Sequence, residues 1–84
     1  MFLAKIFVTL KPTVNDPQGL TILAGLQDLS FKTARSVRVG KYVEVEVDDR
    51  KVEQAMRSVE GMCRQLLANP VIEDYRFELE ELPD

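Results

Sequence analysis

Residues 52–67 carry the strongest periodic signal in the chain, because apolar side chains recur there at intervals of three and four without a gap. These side chains are Val52, Ala55, Met56, Val59, Met62, Cys63, Leu66 and Leu67. Such spacing aligns them on one side of an α-helix. Asp48 and Asp49 predict its start, where the helix dipole favours negative charge, and Asn69 with Pro70 predicts its end. An apolar stripe of this length needs a second layer of structure to cover it.

Two segments alternate between apolar and other residues, which is the period of a β-strand. The alternating apolar positions are Phe2, Ala4, Ile6, Val8 and Leu10 in the first segment, and Tyr75, Phe77 and Leu79 in the last. The opposite side of the first strand also carries Leu3 and Phe7, so both of its faces are expected to be partly covered. We predict that Leu3 and Phe7 point away from the helices and mediate self-association.

Residues 37–47 allow two arrangements. All five valines of this segment stand at odd positions: Val37, Val39, Val43, Val45 and Val47. A hairpin with a three-residue loop at residues 40–42 keeps the valines on one face, whereas a two-residue loop would split them. One long bent strand would also keep them together. We predict the hairpin, with the single strand as the alternative.

Asp16 and Pro17 predict the start of another helix, because aspartate caps a first turn and proline fits the first helical position. The apolar residues that follow at helical spacing are Ile22, Leu23, Leu26 and Leu29. The predicted order is strand, helix, strand, strand, helix, strand. Right-handed crossovers would place both helices on one face of an antiparallel sheet. The predicted fold is an α+β, ferredoxin-like two-layer sandwich that forms a single domain over residues 1–84.

Composition narrows the possible partners. One cysteine and no histidine among 84 residues leave neither an internal disulfide nor an ordinary histidine-and-cysteine zinc site. A net charge of −3 disfavours nucleic acid as a partner. No run approaches the roughly 18 apolar residues of a membrane span, and Lys5 interrupts any signal-peptide core. We therefore expect a cytoplasmic protein without membrane contact, stabilised by self-association, as small domains often are.

Few residues suggest catalysis. Cys63 lies on the apolar stripe and has no histidine to activate it, so a packing role is predicted. Glu44, Glu46 and Asp48 alternate along one strand face and are expected to be solvated or to face a partner rather than to bind a metal ion. An acylphosphatase-like site is a weaker possibility, because residues 11–17 replace the glycine-rich phosphate cradle that such an enzyme needs.

Two polar segments are candidates for docking another protein, and the second is also explained structurally as the end of a helix and the entry to a strand. One is the turn near residue 40, and the other is the rigid bend over residues 69–75. The candidate interface residues are Arg38, Gly40, Lys41, Asn69, Pro70, Glu73, Asp74 and Tyr75. Tyrosine and arginine tend to dominate the binding energy of interfaces, and glycine and proline hold the surrounding backbone in shape.

Four stretches resemble the PurS-type subunit family of phosphoribosylformylglycinamidine synthase, and together they extend over essentially the whole chain. They are Asp-Pro-Gln-Gly at 16–19, Val-Arg-Val-Gly-Lys at 37–41, Met62-Cys63 followed by Leu-Leu-Ala-Asn-Pro-Val-Ile-Glu-Asp-Tyr at 66–75, and Glu-Leu at 78–79. The block at 66–75 is the most specific. Ser30 stands where the family often has glycine, before Phe31.

The resemblance implies a non-catalytic small subunit of an ATP-dependent, glutamine-using ligase complex in purine biosynthesis. It implies that a large synthase subunit binds ATP and magnesium, that a glutaminase subunit releases ammonia, and that the small subunit assists assembly and ammonia delivery as a homodimer or homotetramer. No catalytic, cofactor-binding or metal-binding residue is implied in this chain. Two alternatives with the same order of elements remain: an ACT-like module that senses a small molecule, and the acylphosphatase-like enzyme.

Overall fold

Three strands and two helices follow one another in the computed structural model, which describes residues 1–83. The elements are β1 (Phe2–Leu10), α1 (Pro17–Asp28), β2 (Gly40–Val47), α2 (Val52–Met62) and β3 (Glu73–Glu81), with a π-helical turn at Cys63–Leu67. The sheet is antiparallel, and β1 lies between β2 and β3. This arrangement confirms the predicted α+β class with an antiparallel sheet and two helices. Asp84, the last residue of the predicted domain, lies outside the described residues.

The strand register places the apolar residues of all three strands on one face of the sheet. Ile6, for example, pairs with Val43 of β2 and with Phe77 of β3. Helix α2 covers this face and contributes Ala55 and Val59 to the buried core. The apolar side chains at the even positions of β1 are buried: Phe2, Ala4, Ile6 and Val8. This strand has a neighbouring strand on each side, and α2 covers the face to which these side chains point.

Helix α2 does not continue unchanged to its predicted end. The turn Cys63–Leu67 is π-helical, and the backbone N–H of Ala68 donates to the carbonyl of Cys63 at 2.9 Å. An extra residue in the turn shifts the following side chains around the helix axis. Leu66, which was predicted to lie on the apolar stripe, lies in this turn and is 83% exposed.

The start of α2 also differs from the prediction. The helix begins at Val52 after Lys51, and no side chain caps it. Asp48 and Asp49 lie before the first turn, so the prediction that they start the helix is wrong. Strand β2 extends to Val47, which pairs with Phe2, so Asp48 and Asp49 directly follow this strand.

The predicted hairpin near residue 40 does not form, and a single strand from Gly40 onward takes its place. Gly40 pairs with Thr9, and Tyr42 pairs with Phe7. Residues 40–42 are therefore part of the sheet. Their backbone groups pair with residues 7–9 of β1, and a local turn would leave these pairs unformed. Val37 and Val39 lie before the strand.

Helix α1 starts at Pro17 with Asp16 as its cap, as predicted, but it does not lie on the sheet beside α2. Within residues 1–83, α2 is the helix that packs extensively against β1 and β3. Leu20 of α1 is 58% exposed, and Gly19 is the buried residue of this helix. The described chain accordingly has the elongated dimensions 49 × 29 × 14 Å.

Candidate docking site at one end of the sheet

The two predicted docking segments flank the same end of β1. Thr9 pairs with Gly40 on one side and with Asp74 on the other, and Leu10 pairs with Glu73. Residues far apart in the sequence are thus neighbours across the central strand. They line a cleft of about 360 Å³ whose walls include Gly40, Lys41, Tyr42, Asp74, Tyr75 and Arg76.

Lys11 joins the two segments, although no sequence motif marks it. Its backbone N–H donates to the carbonyl of Ile72 at 2.8 Å, and its Nζ forms a 2.9 Å ion pair with Asp74. Its own carbonyl accepts a 2.9 Å hydrogen bond from Arg38. A lysine directly after a strand carries no distinctive sequence signal, so these contacts emerge only from the fold.

Arg38 bonds to the backbone of the loop between β1 and α1 and holds that loop in place. Its Nη2 donates to the carbonyls of Lys11 and Val14, each at 2.9 Å. The side chain is exposed, but this nitrogen is committed to the protein's own backbone. Arg38 therefore positions the end of β1 relative to the segment that enters β2.

Asp16 ties the same region together from inside. Its Oδ1 accepts from the backbone N–H of Gly19 at 2.9 Å, and its Oδ2 accepts from that of Val39 at 2.7 Å. These bonds, the one from Val39 first, lower the pKa of the Asp16 carboxyl. A Cβ at Gly19 would lie 2.3 Å from the carbonyl oxygen of Val37, which explains the need for glycine there. Residues 16–19 thus connect the start of α1 to the segment that precedes β2.

Gly40 and Lys41 have different roles in the strand. A Cβ on Gly40 would lie 2.3 Å from the carbonyl oxygen of Val8, so the close approach of the two strands requires glycine. Lys41 is exposed at the cleft. Its ammonium group is consequently available to a partner.

The bend at residues 69–75 is held by its own polar groups. Glu73 accepts the backbone N–H of Asn69 at 2.6 Å, and Asn69 accepts that of Val71 at 3.1 Å. Pro70 is exposed, and Val71 is 81% exposed. The bend therefore presents Pro70 and Val71 outward, while Asn69 and Glu73 maintain its shape.

Tyr75 is half-buried and connects β3 to the end of α2. Its hydroxyl donates to Glu60 Oε1 at 2.6 Å, and Arg64 donates to the same oxygen at 3.4 Å. The hydrogen bond to Glu60 raises the pKa of Tyr75. The hydroxyl group of Tyr75 is thus held by Glu60, and the residue also lines the cleft.

Leu3 and Phe7 lie on the sheet face opposite α2, as the alternation predicted. The Phe7 ring lies 5.0 Å from that of Tyr42, and the Arg76 guanidinium carbon lies 4.1 Å from the Phe7 centroid. Both Leu3 and Phe7 are half-buried by neighbours on the strands. This face is called the open face below; its residues are Leu3, Lys5, Phe7, Tyr42, Glu44, Glu46, Arg76, Glu78 and Glu80.

Cys63 is fully buried, and burial raises the pKa of its thiol. Both effects disfavour the thiolate that a nucleophile needs. Within residues 1–83, no three carboxylate or thiol groups are placed to hold a metal ion. No helix in the same range is long and apolar enough to cross a membrane.

The chain is thus a small domain with charged and aromatic side chains around one end of its sheet and with its thiol buried. Residues 3–81 match the model of one family, PurS, described as phosphoribosylformylglycinamidine (FGAM) synthase. The chain belongs to the PurS family of FGAM synthase subunits.

Relatives named phosphoribosylformylglycinamidine synthase subunit PurS match over most of the chain. The Synechocystis protein is 44% identical over 78 residues, which cover 93% of this chain and 78% of the relative. The Bacillus subtilis protein is 42% identical over 84 residues, which cover 98% and 96%.

Solved structures match as well. The Methanocaldococcus jannaschii PurS structure has a TM-score of 0.88 at 35% identity, covering 99% of this chain and 100% of that chain. A chain in the structure of PurLQS from Thermotoga maritima has a TM-score of 0.85 at 30% identity, covering 95% and 99%. These comparisons support neither the ACT-like nor the acylphosphatase-like alternative.

Proposed function

We propose that the chain is the non-catalytic small subunit of FGAM synthase and that the sheet end around Lys11 docks the other subunits. The observation that carries this proposal is the convergence of residues 38–41 and 69–75 on one end of β1. The large synthase subunit and the glutaminase subunit are the proposed partners, consistent with the likeness to a chain of PurLQS. The complex would work in the cytoplasm, with ATP and magnesium on the large subunit and no cofactor in this chain.

The candidate residues divide into two groups by their contacts. Arg38, Asn69 and Glu73 bond to backbone groups of the chain itself and hold the surface in shape. Lys41 and Pro70 are exposed and face outward. We therefore assign the contact with a partner mainly to Lys41 and Pro70. Asp74 and Tyr75, which line the cleft, are assigned to the same contact.

Self-association is the second part of the proposal, as a dimer or a pair of dimers. The apolar surface of α1 supports it more strongly than Leu3 and Phe7 alone, because Leu20 and Leu29 are largely exposed. Burying such side chains contributes about 1.5–3 kcal/mol each.

The docking assignment is tested by reconstitution with both partner subunits. Lys41→Ala is expected to melt like the wild type and to lose glutamine-dependent synthesis, while ammonia-dependent synthesis by the large subunit survives. Lys51→Ala is the matched control, since Lys51 is exposed at the other end of the sheet. Arg38→Ala is expected to lose both stability and activity, because it releases two backbone carbonyls. If Lys41→Ala retains full glutamine-dependent activity, this docking surface is wrong.

A further inference from the structure

The cleft at the end of the open face arises from a step between two rows of side chains. In one row, Phe7 of the central strand pairs with Tyr42 and with Arg76. In the next row, toward the end of the sheet, Thr9 pairs with Gly40, which has no side chain. Residues two apart on a strand share a face, so large side chains stop where small ones begin. The cleft of about 360 Å³ that these residues line follows from this change of size.

Arg76 is a cation of this cleft whose donors have no acceptor within residues 1–83. Its guanidinium carbon lies 4.1 Å from the centroid of the Phe7 ring, which is a cation–π contact. Its side chain is exposed, and no hydrogen bond or ion pair joins it to the described part of the chain. The ring therefore holds the guanidinium beside the cleft while its N–H groups remain available to a ligand.

The two carboxylates nearest to Arg76 along β3 do not neutralise it. Asp74 and Glu78 stand two residues before and two residues after it, on the same face of the strand. Lys11 forms a 2.9 Å ion pair with Asp74, and no ion pair joins Glu78 to Arg76. The positive charge of Arg76 is consequently left for a group from outside the chain.

This arrangement suits a single carboxylate on a short apolar stem. A planar guanidinium binds a carboxylate through two parallel hydrogen bonds. The rings of Phe7 and Tyr42, 5.0 Å apart, offer an apolar wall to the CH₂ groups of an aspartate or glutamate side chain. A phosphate group is disfavoured, because its additional negative charge would lie near the carboxylates of Asp74 and Glu78.

We propose that the cleft receives an aspartate or glutamate side chain of a partner subunit and that Arg76 is the residue that selects it. The inference rests on the proposed docking function of this end of the sheet and names the chemical group that it recognises. Arg76 directly follows the bend at residues 69–75, so it extends the docking surface onto the open face.

Reconstitution with both partner subunits measures the contribution of Arg76. Arg76→Gln is expected to raise the concentration of small subunit that gives half-maximal glutamine-dependent activity by about tenfold or more, because hydrogen bonds between charged groups are strong. Arg76→Lys should recover part of this loss, since an ammonium group does not form both parallel bonds. Arg50→Gln, exposed at the other end of the sheet, is the matched control and should assemble normally. An unchanged concentration for Arg76→Gln, or an equal rise for Arg50→Gln, would overturn the proposal.

Salt dependence separates a charge contact from a purely structural role. Sodium chloride screens charge pairs, so it should weaken assembly of the wild type more steeply than assembly of Arg76→Gln. Each variant is first melted alone to measure its fold. Weakened assembly of Arg76→Gln with the same salt dependence as the wild type would assign Arg76 to packing on Phe7 and would overturn recognition of a carboxylate.

Carbodiimide cross-linking identifies the group that faces position 76. In the assembled complex, Arg76→Lys introduces an amine there, which a carbodiimide joins to a neighbouring carboxylate as an amide. Mass spectrometry of the digested complex is expected to show position 76 linked to an aspartate or glutamate of a partner subunit. A link to a second copy of this chain, a link only to Asp74 or Glu78, or no link at this position in an assembled complex would overturn the proposal.

The outcomes separate this inference from the proposed function. Lost glutamine-dependent activity in Lys41→Ala with normal assembly of Arg76→Gln retains the docking surface and overturns the carboxylate contact alone. Full activity and normal assembly of both variants overturn both proposals. Inorganic phosphate is expected to leave the melting temperature of the isolated chain unchanged. A rise that Arg76→Gln abolishes would assign the cleft to a free anion and would also overturn the inference.

Discussion

The carboxylate of Asp16 accepts a 2.7 Å hydrogen bond from the backbone N–H of Val39, twenty-three positions later in the chain. The same carboxylate caps α1 through Gly19. One buried side chain therefore sets where α1 begins and where the segment leading into β2 lies. The geometry of the candidate docking site depends on this connection, since Arg38 precedes Val39 and Gly40 follows it.

Asp16→Asn is expected to lower the melting temperature by at least about 4 °C at neutral pH, because an amide offers one oxygen where the carboxylate uses two. The pKa of Asp16 is lowered in the folded state, so its stabilising effect is present above the unfolded-state pKa of about 4 and is lost as the pH falls through the folded-state value. The difference between variant and wild type should therefore narrow in acid. Asp28→Asn, on the exposed end of α1, should change little. A pH-independent difference would contradict the role of the charge.

Ser30→Gly is expected to stabilise the protein by about 0.5–1 kcal/mol. Ser30 has a φ of 76°, the one positive value at a non-glycine residue of the described chain. Its N–H donates to Gln27, and that of Phe31 donates to Leu26, which is a Schellman ending of α1. Thermal or urea unfolding measures the gain. Ser36→Gly is the control and should not stabilise; an equal gain from both would contradict relief of the left-handed strain.

The two tyrosines of the chain should ionise above the ordinary tyrosine pKa of about 10. The hydrogen bond to Glu44 raises the pKa of Tyr42, and that to Glu60 raises the pKa of Tyr75. Their stabilising effects are complete below the unfolded-state pKa and are lost as the pH rises through the folded-state value. Ultraviolet titration of Tyr42→Phe isolates Tyr75, and adding Glu60→Gln should lower its pKa. No change would rule out this hydrogen bond in solution.

Cys63→Ala should retain glutamine-dependent activity in the complex and cost no more than about 1–2 kcal/mol of stability, because the thiol is buried and uncharged. The native thiol should react slowly with an alkylating reagent and rapidly after unfolding. Lost turnover in a variant that still folds would assign Cys63 a functional role and refute packing.

Local sequence patterns were sufficient to predict β1, β3, most of α2 and the start of α1. Alternation and three-four spacing follow from how side chains project from strands and helices, and Asp16 with Pro17 fits a first turn by itself. The placement of Leu3 and Phe7 opposite α2 follows from the same alternation. The candidate docking segments were also visible as polar stretches around glycine and proline.

The way these parts meet depends on contacts between distant segments. Residues 40–42 form strand rather than turn because β1 pairs with them, and pairing between distant segments has no local sequence signature. The backbone contacts of Arg38, the bridging role of Lys11 and the position of α1 away from the sheet likewise depend on groups brought together only by folding. Local patterns therefore indicate which faces of β1, β3 and α2 are buried, whereas the tertiary contacts show which polar residues of the candidate docking surface bond within the chain and which are exposed.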